Sequence, residues 1–254
     1  MLTAATMTKM NVMKLYGMAK AYEELQLTAK AGELTVDEAL GMLVDREQLD
    51  RENRATSKRL IRAKLREKAL VEDIDWRHPR GLDKAAFKPM LTCDWIRRHQ
   101  NIIFAGPTGL GKTWLACALA ERACSEGLTA LYFRIPRLFG QLNLARADGS
   151  YERVMRNLSQ ANVLIFDDWG QALTEQERRD FREIIEERFD RGSIIITTQV
   201  PIDRWHEVIG DPTIADAIVD RIVNRAHRFA LSGDTMRKEK PTSKPTKASQ
   251  GVQL

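Results

Sequence analysis

The chain has 254 residues, of which 43% are hydrophobic and 30% charged, with a formal net charge of +5. That composition supports one full-sized core and a small second one, excludes a fibrous or disordered chain, and admits an anionic partner without requiring one. Cys93, Cys117 and Cys124 form no CxxC pair, the histidines miss metal-ligand spacing, and no stretch approaches the roughly 18 apolar residues of a membrane helix, so disulfide scaffolds, zinc modules and membrane spans are all disfavoured and a reducing cytoplasm is the expected compartment.

From Asn11 to Leu25, the apolar residues Val12, Leu15, Tyr16, Ala19 and Tyr22 recur at spacings of three and four, which predicts one amphipathic helix. A second helix opens at Thr35, where Thr35 and Glu38 have capping-box spacing, and its pattern runs to about Leu70. Between Arg51 and Lys68 it carries eight basic residues, Arg59 and Arg62 among them, against Glu52 and Glu67. This stripe suits either a solvated face or a phosphate backbone. Residues 1–70 therefore read as a helical N-terminal domain for DNA or a partner. Residues 71–92 read as a linker folding onto the next domain, 93–240 as the main domain, and 241–254 as a basic tail too poor in apolar residues to fold.

Strands are expected at Asn101–Ala105, Thr129–Arg134, Asn162–Asp167, Ser193–Thr198 and Arg228–Leu231, with helical patterns between them. Their near-continuous Val, Ile, Leu and Phe predicts burial on both faces, as in the parallel sheet of an α/β fold.

Directly after the first strand comes GPTGLGKT, Gly106 to Thr113, followed by a helical run from Trp114. This is the phosphate-loop pattern in the strand and helix setting that it requires. Gly106, Gly109 and Gly111 let the backbone turn its N–H groups inward around Pro107, Thr108 and Leu110, and the helix starting at Lys112 adds its positive end. Lys112 is expected to reach the β and γ phosphates of ATP, and the Thr113 hydroxyl to ligate Mg²⁺. The third strand ends in Asp167 and Asp168. Alternation puts Asp168 on the side of Leu164 and Phe166, and Asp167 on the side of Val163 and Ile165. Asp167 then suits the metal, Asp168 the attacking water, and Trp169 packing.

After a helix capped by Thr174 and Glu177, with Phe181, Ile184, Ile185 and Phe189 as its buried face, the fourth strand ends in the polar tip Thr197, Thr198 and Gln199, placed to offer a hydrogen bond to a γ-phosphate or water; a buried turn explains the same letters. The helix from Thr213 to Ala226 carries Arg221 and Arg225 on its flank. An arginine there either pairs with Asp216 or Asp220 or crosses a subunit boundary as an arginine finger.

In this order, GPTGLGKT, VLIFDDWG, IITTQ, AIVDRIVNRAH and SGDTMRK resemble the IstB-type transposition helper ATPases, relatives of the DnaC helicase loaders within the AAA+ superfamily. The likeness covers about Tyr16 to Lys238, including KLYGMAKAYEE, LTCDWI and ARADGSYERVMRNL. It implies an AAA+ core with a helical N-terminal domain, a homo-oligomer that forms with ATP on DNA, and a transposase partner of the IstA type. It further implies ATP and Mg²⁺ on Gly106 to Thr113, continuing to Trp114, and on Asp167. Asp168 takes the place of the catalytic acid, Gln199 of the first sensor, Arg221 of the finger and Arg237 of a second sensor. Many AAA+ proteins have Glu where Asp168 stands and Asn where Gln199 stands, which implies slow turnover. The interval 136–161 is long enough for two helices, as in the initiator and loader branch; in a spiral its Arg137, Arg146, Arg153 and Arg156 would track DNA, with little sequence preference. A helicase loader of the DnaC type is the alternative on the same core, and a small-molecule kinase a third reading of the same phosphate loop.

Overall fold

The computed structural model describes residues 2–27 and 34–236. The basic tail 241–254 and Arg237 lie outside the described residues. Helix α1 (Leu2–Val12) is followed by α2 (Tyr16–Leu27) and the long α3 (Val36–Ala63). The single helix expected over Asn11–Leu25 is thus divided. Lys14 adopts the left-handed conformation with φ 61°, and the Leu15 N–H reaches back to the Met10 carbonyl at 2.8 Å. A one-residue break of this kind leaves the spacing of the apolar residues on either side intact, so periodicity does not reveal it.

The packed face of α2 also differs from the expected one. Ala19 is buried as expected, but Val12 and Tyr16 are exposed, and Gly17, Ala21 and Leu25, four residues apart, are buried against α3. Small residues allow the two backbones to approach: a Cβ on Gly17 would stand 2.6 Å from the Arg46 carbonyl oxygen and 2.7 Å from the Glu47 Cα. Helix α3 begins at the predicted capping box of Thr35 and Glu38 but ends at Ala63, not near Leu70, because Lys64 turns left-handed with φ 51°. The last turns of α3 lie against the main domain. Residues 65–97 then wrap the domain through the short helices α4 (Lys84–Phe87) and α5 (Asp94–Arg97), with Ala69, Ile74, Phe87 and Met90 buried in its core.

The strands β1 (Asn101–Ala105), β2 (Ala130–Arg134), β3 (Val163–Trp169), β4 (Ser193–Thr198) and β5 (Ala226–Ala230) form one parallel sheet in the order β2-β3-β4-β1-β5. The connecting helices are α6 (Lys112–Ser125), α7 (Ile135–Ala147), α8 (Tyr151–Gln160), α9 (Glu175–Arg188), α10 (Trp205–Ile209) and α11 (Pro212–Val223). Parallel strands joined by helices must be covered on both faces, and two separate cores result. Ile102, Phe104, Val163, Ile165 and Ile195 pack with α6 and the wrapping segment. Ile103, Leu164, Phe166, Ile194 and Ile196 pack with α7, α8, α9 and α11. The interval 136–161 does hold two helices. Register places Arg134 beside Asp167 and Ala105 beside Thr198, which brings the carboxyl ends of β1, β2, β3 and β4 to one edge.

Candidate nucleotide-binding site

At that edge the chain leaves β1 at Gly106, whose φ of 142° and whose distance of 2.1 Å between a built Cβ and the Leu231 carbonyl oxygen leave room for no other residue. The loop then turns into α6, whose N-terminus lacks a side-chain cap, so its first N–H groups remain available to an anion. Lys112 Nζ lies 2.7 Å from the carbonyl oxygens of Gly106 and Pro107, which aims its ammonium across the loop. A cavity of about 780 Å³ opens in front of it, bordered by Thr108, Gly109, Gly111, Lys112, Thr113 and Trp114 of the loop and by Asp168 and Gln199. Leu110 is buried beneath the loop. The volume and the anion-seeking rim suit a nucleoside triphosphate.

Asp167 is fully buried at the back of this site and is held by four side chains. The hydroxyls of Thr113 and Thr197 donate to Oδ1 at 2.7 and 2.6 Å, the Tyr132 hydroxyl donates to Oδ2 at 2.6 Å, and Arg66 Nη1 stands 3.4 Å from Oδ2. A buried carboxylate needs such partners. Burial, and then the hydrogen bond to this carboxylate, push the Tyr132 hydroxyl well above the usual tyrosine range. The Thr113 hydroxyl and the Asp167 carboxylate touch, as two oxygen ligands of one Mg²⁺ would, and this hard-oxygen donor set fits that ion.

Strand alternation predicts Asp168 on the face of Leu164 and Phe166, but a register shift between Phe166 and Trp169 overturns this. Asp168 has φ 61°, a conformation that Asp tolerates better than most residues. Trp169 therefore takes the place beside Phe166 and stacks on Phe181 at 4.6 Å, so its predicted packing role holds. The Asp168 carboxylate is released into the cavity, where Arg134 Nε meets it at 2.7 Å.

At the polar tip of β4 the two readings divide between residues. Thr197 and Thr198 are buried. The Thr197 hydroxyl donates to Asp167 and accepts the Asp168 N–H at 3.2 Å, and Thr198 closes a turn with Val200. Gln199 alone of the three borders the cavity.

Arg221 does not border it. Its guanidinium donates to the Ala217 carbonyl at 2.9 Å and stands 3.9 Å from Glu186, near the Phe189 ring; neither Asp216 nor Asp220 is its partner. Phe189 itself is partly exposed rather than buried, because it caps α9 instead of continuing it. Of the arginines considered for DNA, Arg146 is engaged by the buried Asp180, and Arg59 Nε donates to the Cys124 carbonyl at 2.7 Å. Arg62 stands 3.5 Å from Asn157, while Arg137, Arg153 and Arg156 are exposed on α7 and α8.

Besides Arg134, three site residues escape sequence reading. Arg66 and Tyr132 hold Asp167 from the chain after α3 and from β2. Arg80, buried on the cavity wall, donates to the Leu110 carbonyl at 3.1 Å and so fixes the phosphate loop from the wrapping segment; burial lowers its pKa. No motif marks these residues, since each reaches the site through packing of distant segments.

A phosphate loop after β1, paired acids ending β3 and a polar residue ending β4, set between the helices of a 2-3-4-1-5 sheet, define a nucleotide-binding protein of the AAA+ P-loop class. The chain belongs to the family of IstB-like ATP binding proteins, whose profile matches residues 8–244. It is 49% identical over 239 residues to a protein of Sinorhizobium fredii named as an insertion sequence ATP-binding protein, a match that covers 94% of this chain and 98% of that one. A relative of the same kind from Pseudomonas fluorescens is 42% identical over 203 residues, covering 79% and 88%. Among solved structures, that of DnaI aligns with TM-score 0.56 at 19% identity over 69% of this chain and 94% of that one. The DnaC helicase loader aligns with TM-score 0.51 at 20% identity over 69% and 99%. These two likenesses concern the fold alone. Among the described residues no helix is long and apolar enough to cross a membrane, and the three cysteines are free and buried, with burial raising the Cys93 thiol to about 11.

Proposed function

We propose that this chain is an ATPase whose nucleotide state controls its assembly on DNA, and that it serves a transposase of the IstA type at an insertion sequence. One observation carries the reading. Lys112, Thr113, Asp168 and Gln199 line a single cavity backed by Asp167, while Arg221 sits elsewhere on the same chain. A cavity that gathers the phosphate-loop lysine, the paired acids and a polar strand end, while the arginine of α11 lies outside it, is suited to completion by that arginine of a second copy.

In this reading Lys112 turns from the carbonyls of Gly106 and Pro107 to the β and γ phosphates. Thr113 and Asp167 would hold Mg²⁺, which supplies charge neutralisation at the phosphate oxygens. Asp168 orients the attacking water and takes its proton at a carboxylate oxygen, Gln199 holds that water or a γ oxygen, and Arg221 of a neighbour faces the charge that develops. Arg134 occupies Asp168 in the structure described, in keeping with slow turnover. The family's insertion-sequence relatives support the transposition context, and the exposed arginines of α7 and α8 support an anionic partner.

Sedimentation with duplex DNA and a non-hydrolysable ATP analogue tests the proposal. The expected result is a multimer on DNA that depends on the analogue and is abolished by Lys112→Ala. A chain that stays monomeric and indifferent to ATP, magnesium and duplex would reject it. Recovery of a replicative helicase rather than a transposase in a pull-down would favour the loader alternative.

A further inference from the structure

Arg80 and Arg188 are 2% and 1% exposed, and neither meets a carboxylate among the described residues. Their surroundings differ in sign. Arg188 sits against the carbonyls of Leu158 and Ala161 at the carboxyl end of α8, where the negative end of the helix stands in for a counter-ion. Arg80 sits at the opposite kind of place. Its Nη1 donates to the Leu110 carbonyl at 3.1 Å and to the Met236 thioether at 3.1 Å, and its Nη2 reaches the Asp75 carbonyl at 3.4 Å. A Cβ on Gly111 would stand 2.7 Å from Nη1. Gly111 is the N-cap of α6, so the guanidinium faces the positive end of that helix, and Lys112 borders the same cavity.

A buried cation at a positive helix end, with two carbonyls and a thioether for partners, costs the fold free energy unless an anion compensates it. Burial lowers the Arg80 pKa, and the charge of Asp75 offsets this only in part. The Asp75 carboxylate is engaged in its own turn, where Oδ1 accepts the N–H groups of Arg77 and His78 at 2.8 and 3.3 Å. Arg80 also stands where three segments cross. Its carbonyl accepts the Ser232 N–H at 3.0 Å, and the Met236 N–H donates to the Gly109 carbonyl at 2.9 Å. A Cβ on Gly109 would stand 2.1 Å from the Thr235 hydroxyl, and one on Gly233 would stand 2.4 Å from the Pro79 carbonyl oxygen. The wrapping segment and the strap after β5 thus close over the phosphate loop, with this guanidinium at the crossing.

We propose that the triphosphate of the bound nucleotide is the counter-ion of Arg80, which makes Arg80 a positioning residue of the ATP site that acts by charge across the Leu110–Gly111 turn, and that nucleotide binding thereby tightens the crossing of wrap and strap. The inference rests on the reading of the loop as the seat of ATP and deepens it by naming a residue outside the phosphate-loop motif that responds to the nucleotide's charge. Attraction between a cation and an anion strengthens as water is excluded and grows with the charge of the anion. The effect of Arg80 therefore scales with the number of phosphates. Because the wrapping segment follows α3 directly, the N-terminal helices are joined to the nucleotide through this one buried charge.

The test compares the full chain with its Arg80→Met and Arg80→Lys variants, by calorimetric affinity for ATP, ADP and AMP in the presence of magnesium and by hydrogen exchange of the Ser232 and Met236 amides. Arg80→Met should weaken ATP binding about 10- to 100-fold, ADP binding about three- to tenfold and AMP binding about twofold, whereas Arg80→Lys, which keeps the charge, should stay within about threefold of the unaltered chain for all three. In the unaltered chain ATP should slow exchange at both amides about tenfold, and ADP less. If the unaltered chain binds no nucleotide, the ATP reading and this inference fall together. If it binds ATP and Arg80→Met binds it equally well, this inference alone falls. A loss by one common factor for ATP, ADP and AMP, without recovery in Arg80→Lys, would make Arg80 a structural brace and overturn the proposal as well. Should Arg80→Met fail to fold, the unaltered chain decides: Ser232 and Met236 amides that exchange equally fast with and without ATP would refute the coupling of charge to strap.

Discussion

Thr197 shows how much of the site rests on one hydroxyl. It donates to Asp167 and accepts the N–H of Asp168, and so ties β4 to both acids. Removal of the hydroxyl leaves a buried carboxylate short of a donor and frees the left-handed turn at Asp168. Thr197→Val is expected to slow ATP turnover about 10- to 100-fold, since small misplacements of a catalytic group cost that much, while nucleotide affinity changes little. Parallel measurement of turnover and of fluorescent-nucleotide binding checks this; loss of both together would mean that the variant collapses the pocket. From the sequence, Thr197 reads as a group facing substrate, because a polar strand tip has that meaning unless a bulge on the next strand reverses it. Arg188 carries the same lesson. In sequence it is one more charge on a polar helix, but it is buried and donates to the carbonyls of Leu158, Ala161 and Ser193 at 2.6 to 2.8 Å. It thus caps the end of α8 from within, and burial lowers its pKa to about 10.

Among the elements, the α2–α3 hairpin depends on Glu47, a buried acid just before the basic stripe of α3. Its carboxylate accepts the N–H groups of Gly17 and Met18 at 2.8 and 3.2 Å and pairs with Arg51 at 2.7 Å. Burial alone would raise its pKa, but the Arg51 bond and the two N–H groups outweigh it, and the folded value lies below the ordinary 4.5. A depressed acid stabilises the fold above its unfolded pKa and ceases to do so as pH falls through the folded one. The hairpin is therefore expected to be intact at neutral pH and to loosen as pH drops below about 4.5. Glu47→Ala should cost about 2 kcal/mol at neutral pH and remove most of that acid sensitivity. Hydrogen exchange of the α2 amides against pH reads both effects; an unchanged pH profile in the variant would exclude Glu47 as the cause. Arg51 and Arg54, both counted in the basic stripe, pair with Glu47 and Asp50, so the stripe presents less free charge than its letters suggest.

For the whole molecule, the position of Arg221 away from the cavity of its own chain leads to a complementation test. Arg221→Ala is expected to keep nucleotide affinity and to lower turnover about 1,000-fold, the scale of a missing arginine finger. Asp168→Asn should retain ATP-dependent assembly on DNA and block disassembly. Mixed in equal amounts, the two inactive variants should regain part of the ATPase activity, because some interfaces then join an intact acid to an intact arginine. Turnover of the mixture that never exceeds that of either variant would exclude a finger in trans.

The sequence by itself determined the class of sheet, the order of its strands and helices along the chain and the phosphate loop, because each follows from local spacing: apolar runs of strand length, glycines at fixed offsets, a capping box; the meeting of Thr113 with Asp167, 54 residues on, was legible only through the chemistry of the phosphate-loop motif. It also reached the two helices between β2 and β3. Only tertiary structure decided which groups meet the nucleotide from afar. Arg66, Arg80, Tyr132 and Arg134 stand 30 to 101 residues from the acids or loop they hold, and the strand register and wrapped segment that bring them there leave no periodic trace. The breaks at Lys14 and Lys64 and the turn at Asp168 were hidden for a related reason: a single left-handed residue changes the direction of the chain without changing the pattern of polar and apolar letters around it.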